Sequence, residues 1–218
     1  MRLNDSAHLA HPWRIHALTP DFALEDVWAL DTPGGPDDFA KLVELVAAGD
    51  PAEGSSKVVG VLFALRWKLG ELLGWDDERD GLGARVPTLR ERLPEDLRDG
   101  PAGPDSDAVP FKPLYLTHDE FAAEIANRTM HGVMHLGWVQ DPGTGAHRGQ
   151  MAVLVKRNGR LGAAYMAAIR PFRHALVYPL MLREIGRRWR SACVSRAPAT
   201  GARSRASSAG TRARGGRA

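Results

Sequence analysis

Two histidines placed four positions apart, His131 and His135, are the residues of this sequence best suited to chemistry. On one continuous strand both side chains would point to the same face, along with Asn127 and Thr129. An imidazole can act as a general base near neutral pH, and the amide and hydroxyl groups can orient a carbonyl or hydroxyl group of a ligand. The alternative is a hairpin turn at His131 and Gly132, which would separate the histidines and leave them exposed or in structural bonds.

A second polar group lies nearer the C-terminus. Arg170, His174 and Tyr178 are four positions apart, so a helix would carry all three on one face. Arg170 could bind a carboxylate or phosphate of a ligand and Tyr178 could donate a hydrogen bond. Alternatively, Arg170 could pair with Glu120 or Glu124 and join the helix to a strand. The predicted ligand-binding residues are Asn127, Thr129, His131, His135, Arg170, His174 and Tyr178.

Other kinds of catalytic or cofactor site have little support in the sequence. Cys193 is the only cysteine, and the pattern places no acidic residue on the histidine face, so we predict no metal site. No Ser-His-Asp order, phosphate-binding loop or Gly-x-Gly-x-x-Gly run at a strand-to-helix junction stands out. No cofactor is therefore predicted, and the catalytic residues stay unassigned.

The composition fits one folded domain followed by an arginine-rich tail. Hydrophobic residues make up 44% of the 218 residues, near the average for globular proteins. The net charge of +3 includes six arginines and no acidic residue after position 190, so residues 1–190 carry 3 − 6 = −3. This mildly acidic body gives no reason to expect nucleic-acid binding by the folded domain. We predict a flexible N-terminus over 1–10, one domain over 11–190 and a disordered tail over 191–218.

The sequence favours a cytoplasmic location. It has no uninterrupted apolar run of about 18 residues, so no membrane span is predicted. Its first residues lack the apolar core of a signal peptide. A single cysteine also fits a reducing compartment.

Apolar spacing predicts the helices that frame these residues. Helices are expected over 36–48 and 57–73, where apolar residues recur at helical spacing. A long final helix is expected from near residue 162, with Pro171 and Pro179 kinking or restarting it. The stretch 21–30 could be either a strand or a short helix.

The strands are predicted mainly in the second half of the chain. Residues 75–110 are rich in Asp, Arg, Gly and Pro and are expected to be a long loop insertion at the surface, with a short strand or helix near 86–93. Alternation of apolar and polar residues then predicts strands over 111–117, 120–129, 133–140 and 150–156.

Several motifs of the second half resemble those of a bacterial family, the domain of unknown function 2867. The motifs are Pro110-Phe111 followed by Glu120, Asn127-Arg-Thr-Met-His-Gly132, His135-Leu-Gly-Trp-Val139, Arg148-Gly-Gln-Met-Ala-Val153, and Ala167-Ala-Ile-Arg-Pro-Phe-Arg-His174 with Val177-Tyr-Pro179. The resemblance covers roughly residues 11–189 and is strongest from 111 onward. The family has no assigned activity, so it implies a fold rather than a reaction.

The resemblance and the order of elements imply an α+β helix-grip domain of the START, Bet v 1-like or SRPBCC type. In such a fold a curved antiparallel sheet wraps around a long C-terminal helix, and two shorter helices follow the first strand. A cavity between sheet and helix would bind a small hydrophobic or amphipathic molecule. The alternatives are a cyclase, dehydratase or hydrolase that uses a cavity histidine, and an accessory subunit for an NAD(P)-binding partner protein, since the family also occurs fused to such domains.

Overall fold

The computed structural model describes residues 1–49, 82–83, 86–105, 110–141 and 143–194 of the chain. The predicted helix over 57–73 lies outside these residues, as does the part of the predicted tail after residue 194. Residues 191–194, also part of the predicted tail, belong to the C-terminal helix. Within the described residues the fold is α+β, with one curved antiparallel sheet and a long C-terminal helix. No helix among the described residues is both long and apolar enough to cross a bilayer.

Five strands form the sheet, in the order β1-β5-β4-β3-β2. Strands β2 to β5 are joined in sequence, and β1 lies beside β5, so every neighbouring pair is antiparallel. The stretch 21–30 is therefore a strand rather than a helix. The strands are β1 (Ala23–Ala29), β2 (Lys112–Leu116), β3 (Glu120–Ala126), β4 (Met130–Gln140) and β5 (His147–Arg157).

Other parts of the chain lie along both edges of this sheet. The backbone of Met1 and Leu3 hydrogen-bonds to β1 on the side away from β5. At the opposite edge β2 contains Pro113, which has no N–H to offer. The N–H of Leu116 donates to the carbonyl of Pro101 at 2.7 Å.

The helices pack on both faces of the sheet. They are α1 (Ser6–Leu9), α2 (Arg14–Leu18), α3 (Phe39–Ala47), a 3₁₀ turn (Leu89–Arg92), α4 (Glu95–Arg98), α5 (Gly159–Phe172), a π-helical segment (Arg173–Val177) and α6 (Tyr178–Val194). The N-terminal face of the sheet, which carries Ala122 and Val133, packs against α2, the 3₁₀ turn and α4. The C-terminal face, which carries Phe121 and Leu136, packs against α3 and α6.

The N-terminal segment differs from its interpretation by sequence, which makes residues 1–10 flexible and residues 11–19 a polar lead-in to the domain. Residues 1–10 include α1, and the side chain of His8 has no exposed surface. The following residues place Trp13, Ile15 and Leu18 in the core of the N-terminal face. The apolar residues here are few and their helices short, so no periodic pattern of useful length marks them in the sequence.

The loop insertion over 75–110 also contributes to the core. Its described part has few apolar residues, but Leu89, Leu93 and Leu97 are all buried against the N-terminal face. The 3₁₀ turn, the residue that follows it and α4 each contribute one of these leucines to the same core. The predicted short element near 86–93 is this 3₁₀ turn.

The C-terminal helix does not end at Pro171. It continues into the π-helical segment, in which each turn contains more residues than an α-helical turn, so the following side chains shift around the axis. Arg170 is consequently exposed, while Arg173 and His174 reach β1 and Tyr178 is buried. The expectation that Arg170 shares one face with His174 and Tyr178 is therefore wrong.

The start of α5 is packed tightly on the turn between β3 and β4. A Cβ atom at Gly162 would lie only 2.0 Å from the carbonyl oxygen of Thr129. Only glycine leaves room for this approach, which determines where the long helix begins relative to the sheet.

Candidate functional site

The sheet separates the predicted ligand-binding residues. The N-terminal face holds His131 and His135, which share it because β4 runs unbroken from residue 130 to 140. The C-terminal face holds His174 and Tyr178, whereas Arg170 is exposed to solvent on α5. The two histidines of β4 thus lie on the side of the sheet that faces away from the C-terminal helix.

Asn127 and Thr129 form the turn between β3 and β4. The Oδ1 atom of Asn127 accepts hydrogen bonds from the N–H of Thr129 at 2.9 Å, from its hydroxyl at 2.8 Å and from the N–H of Met130 at 3.1 Å. The hairpin thus turns at residues 127–130 rather than at His131 and Gly132. These polar side-chain atoms stabilise the turn.

The imidazole of His135 is paired with a buried glutamate. Its Nε2 lies 3.1 Å from Oε1 of Glu120, which also accepts a hydrogen bond from the Tyr115 hydroxyl at 2.6 Å. The carboxylate further accepts the N–H groups of Arg14 at 2.9 Å and Ile15 at 3.0 Å, so it binds the N-terminus of α2. Burial alone would raise the pKa of Glu120, but these donors together with His135 lower it to about 2.

His131 is paired with Glu124 in the same way. Its Nε2 lies 2.8 Å from Oε2 of Glu124, and the same oxygen accepts the N–H of Leu89 at 3.0 Å. The hydroxyl of Thr88 donates to the other oxygen. Burial favours the neutral acid, but the bonds from His131, Thr88 and Leu89 outweigh it, so the pKa of Glu124 is lowered. Glu124 therefore binds the N-terminus of the 3₁₀ turn.

These pairs correct two sequence-based expectations. Two glutamates do lie on the histidine face, and neither of them pairs with Arg170. The described residues nonetheless contain no group of three or more side chains that could surround a metal ion.

A signal for the pairs was present in the sequence. The glutamates at 120 and 124 have the same four-residue spacing as the histidines at 131 and 135. In the observed register His135 lies opposite Ala122 and His131 opposite Ala126, so small neighbours let each imidazole reach diagonally to its glutamate.

Two further histidines extend the Glu120 pair toward the surface. His8 Nε2 lies 3.1 Å from His135 Nδ1, and His16 Nε2 lies 3.0 Å from His8 Nδ1. Burial, then the neighbouring His135 and His16, lowers the pKa of His8 to about 3. Burial and His135 also lower the pKa of the half-buried His16. His8 and His16 were missed in the sequence because they belong to the segment read as flexible or polar.

A separate polar group lies between β1 and the C-terminal helix. Asp26 is fully buried and accepts a hydrogen bond from Nε2 of His174. The guanidinium of Arg173 is further away, with its Nη2 at 3.4 Å from Asp26 and 3.6 Å from Glu25. Burial raises the pKa of Tyr178, which packs beside this group and remains a neutral hydroxyl.

Several polar atoms of this second group have no hydrogen-bond partner. The Nε1 of Trp28, the Nε and Nη2 of Arg173 and the Oδ2 of Asp26 are buried and have no hydrogen-bond partner among the described residues. The Trp28 ring lies 5.2 Å from the ring of Tyr178 and 6.3 Å from that of His174, measured between centroids. Buried polar atoms in native proteins almost always have a partner, and here three unpaired donor atoms outnumber the one unpaired acceptor, which leaves room for a further acceptor.

An apolar row crosses the sheet next to these donors. Asp26 pairs with Val153, Val153 with Met134, and Met134 with Ala123, so the four side chains line up on the C-terminal face. Val153 and Met134 belong to the inner strands β5 and β4, yet both are only partly buried. The helix therefore covers this part of the face incompletely, and an apolar surface adjoins the unpaired donors.

Comparison with known proteins identifies one family. Residues 18–180 match a family model described as Protein of unknown function (DUF2867). The matched range begins after α1 and most of α2, so His8 and His16 lie outside it. No curated protein matches the chain, and no solved structure does.

Proposed function

From the premise that this chain belongs to the DUF2867 family, a family described as proteins of unknown function, we propose that it is a helix-grip domain that binds a small hydrophobic or amphipathic molecule. The ligand lies between the C-terminal face of the sheet and the helix formed by α5, the π-helical segment and α6. Its polar end meets the side chains of Trp28, Arg173, His174 and Tyr178.

The unpaired donors of Trp28 and Arg173 carry this proposal. An indole N–H without a partner is costly to bury, and the Arg173 guanidinium has only ion pairs at 3.4 and 3.6 Å, so an oxygen-bearing ligand group could add a hydrogen bond to either donor. A carboxylate, a sulfonate or a strongly polarised carbonyl fits best, because the guanidinium is cationic.

The apolar part of the ligand extends along the row that starts at Asp26. Val153 and Met134 provide a partly exposed apolar surface directly beside the donors. Burying that surface is favourable by about 25 cal/mol for each Å² removed from water. A ligand with one polar end and an apolar body therefore matches both parts of the site.

His174 supports a second candidate function, a reaction that needs a proton acceptor. Its Nε2 is directed at the buried Asp26, which leaves Nδ1 as the basic nitrogen of a neutral ring, and the side chain is 21% exposed. A cyclase, dehydratase or hydrolase could use that nitrogen as a general base. By contrast, both ring nitrogens of His135 are already bonded within the N-terminal face.

A fluorescence titration of the full chain with 8-anilino-1-naphthalenesulfonate tests the binding site. This probe joins an apolar ring system to one anionic group. Replacing Trp28→Phe should weaken binding roughly fivefold and Arg173→Met roughly tenfold or more, in line with the loss of one neutral and one charge-assisted hydrogen bond.

Trp13→Phe is the matched control. Its indole N–H is also buried and unpaired among the described residues, but it lies on the N-terminal face. It should leave the affinity unchanged. Equal effects of the two tryptophan substitutions, or no effect of Arg173→Met, would contradict the proposed site.

Native mass spectrometry of the full chain purified from its host addresses the natural ligand. A bound small molecule, lost in the Arg173→Met variant, supports the site and identifies the substrate class. A ligand-free protein that also fails to bind the probe supports the accessory role beside an NAD(P)-binding protein instead.

A further inference from the structure

Three imidazoles form a chain that crosses from the sheet to the N-terminal segment. His135 on β4 contacts His8 on α1, and His8 contacts His16 on α2, through nitrogen-to-nitrogen distances of 3.1 and 3.0 Å. The carboxylate of Glu120 accepts at the inner end. In the neutral chain each ring therefore carries its proton on Nε2, and the Nδ1 of His16 is the only ring nitrogen of the three with no assigned partner in the described contacts.

Counting protons sets a limit on how much charge this chain can take up. Each of the two N···N contacts holds one proton, and the contact with Glu120 holds a third. A fourth proton can be added on Nδ1 of His16 without breaking any of these bonds. A fifth would place two N–H groups face to face at His8, so the closed chain accepts at most one proton beyond the neutral state.

Once separated, the three rings would no longer share this limit. Each free imidazole takes up its own proton below about pH 6.5. Opening the contact between the N-terminal segment and the sheet would therefore bind two or three additional protons. By linkage, proton uptake on opening makes the open form more populated as the pH falls.

The other charged groups near the chain do not remove this effect. Glu120 from β3 and the Tyr115 hydroxyl from β2 face His135, and His11 from the loop after α1 acts on His8 as a further positive charge when protonated. The guanidinium of Arg14 is directed away, to Asp96 on α4 at 2.8 Å. Among the described groups that act on His8, Glu120 alone favours its protonation, and a single carboxylate can balance a single proton.

We propose that residues 1–18 form an acid-released cover, which detaches from the N-terminal face when the His16–His8–His135 chain takes up more protons than its hydrogen bonds can hold. This conformational device is independent of the ligand site under the C-terminal helix. Its release uncovers Glu120, His135 and the apolar surface beneath Trp13 and Ile15.

The pKa of His8 supports the direction of the change. Burial, then His135 and His16, lowers it to about 3 in the folded protein, against about 6.5 for a free histidine. The contribution of His8 to the closed form is thus fully present above pH 6.5 and is lost as the pH falls toward 3. Glu120 adds to the loss only below about pH 4.5, since its own pKa is lowered to about 2.

The second glutamate–histidine pair provides an internal reference. His131 is bonded to Glu124, and the described contacts continue from it to the ring of Phe22 rather than to another histidine. The segment held by Glu124, residues 88–98, should therefore keep its protection over the pH range in which the cover opens.

Hydrogen–deuterium exchange of the full chain between pH 5 and 7.5, corrected for the intrinsic pH dependence of exchange, tests the proposal. Amides of residues 3–18 should lose protection by about a hundredfold or more for each pH unit near pH 5.5, because opening takes up two or more protons and each proton contributes a factor of ten per pH unit. Residues 88–98 and β4 should not change in parallel.

Two variants distinguish an effect of the three linked histidines from a general effect of acid on the protein. In His8→Leu the histidine chain is interrupted and its shared limit on proton uptake is removed, so the pH dependence of opening should fall sharply. In His16→Gln, at a half-buried position that tolerates change, the number of protons per opening should fall without loss of folding. An unchanged pH dependence in both variants, or an equal loss of protection over the whole domain, would overturn the proposal.

Discussion

The two faces of the sheet differ in how completely their buried charged groups are hydrogen-bonded, although each face also has one tryptophan, Trp13 or Trp28, whose buried indole N–H has no partner among the described residues. On the N-terminal face Glu120 and Glu124 have their oxygens bonded by imidazoles, hydroxyls and backbone N–H groups. On the C-terminal face Trp28 and Arg173 have buried donors with no partner among the described residues. Fully bonded groups stabilise a fold, whereas unbonded ones mark a place where a ligand can contribute.

This difference reverses the assignment that residue types alone suggest. The histidines of β4 are the most conspicuous candidates for chemistry, but the structure uses their glutamate partners to bind α2 and the 3₁₀ turn. The residues under the C-terminal helix are less conspicuous in sequence, and they retain free hydrogen-bonding capacity. Substitutions on the first face should therefore affect stability, and those on the second should affect binding.

Glu120→Leu should be the most damaging change. It leaves the Tyr115 hydroxyl, the His135 imidazole and two N–H groups of α2 without their acceptor, so the free energy of unfolding should fall by about 3–5 kcal/mol. Urea denaturation followed by circular dichroism measures it. A loss below about 1 kcal/mol would mean that the N-terminal face does not depend on this carboxylate.

Acid should destabilise the protein through His8. Because its pKa is about 3 when folded and about 6.5 when unfolded, lowering the pH from 7 to 4 should reduce the free energy of unfolding by about 3 kcal/mol. The matched comparison is His8→Leu, in which this part of the pH dependence should disappear. Equal pH profiles for the two proteins would contradict the assignment.

Thr88→Ala should have a moderate effect. The substitution removes the hydroxyl that donates to Glu124 and accepts from the N–H of Arg90, so a loss of about 1–2 kcal/mol is expected. Thr144→Ala, in the exposed β4–β5 loop, is the control and should change stability by less than about 0.5 kcal/mol. Thermal denaturation of both variants gives the comparison.

Arg173→Met should have the smallest effect on stability. The buried Nε and Nη2 of its guanidinium make no hydrogen bond among the described residues and only loose ion pairs, so an apolar side chain of similar length should change the free energy of unfolding by less than about 1 kcal/mol. Urea denaturation of this variant should then show almost unchanged stability, while titration of the same sample with the fluorescent probe should show weaker binding. A large loss of stability would place Arg173 with the structural groups and remove the contrast between the faces.

Strands β3 and β4 and helix α3 could be predicted because the spacing of their apolar residues depends only on neighbouring positions in the sequence. Alternation depends on near neighbours in the chain; it predicted strands over 120–129 and 133–140, and the structure has strands at Glu120–Ala126 and Met130–Gln140. Of the two alternatives for His131 and His135, the structure shows the one in which a single strand carries both on one face, although Asn127 and Thr129 lie in the turn before that strand. The spacing of apolar residues likewise predicted α3 to within a few residues.

The contacts of the site could not be predicted because they depend on register and helix type. The glutamate–histidine pairs join residues on different strands, so they follow only from the pairing of β3 with β4. Arg173 rather than Arg170 faces β1 because the π-helical segment shifts the following residues around the axis. His8 and His16 come from helices too short to leave a periodic signal.

The strands at the two ends of the sheet have a consequence for self-association. An open strand edge is a template on which another copy can pair and aggregate. Here the first three residues lie along β1, and Pro113 interrupts the donors of β2. The first three residues, which cover the edge of β1, belong to the segment 1–18 that acid would release. Acidified protein should therefore begin to aggregate at high concentration through that edge, while protein at neutral pH stays dispersed.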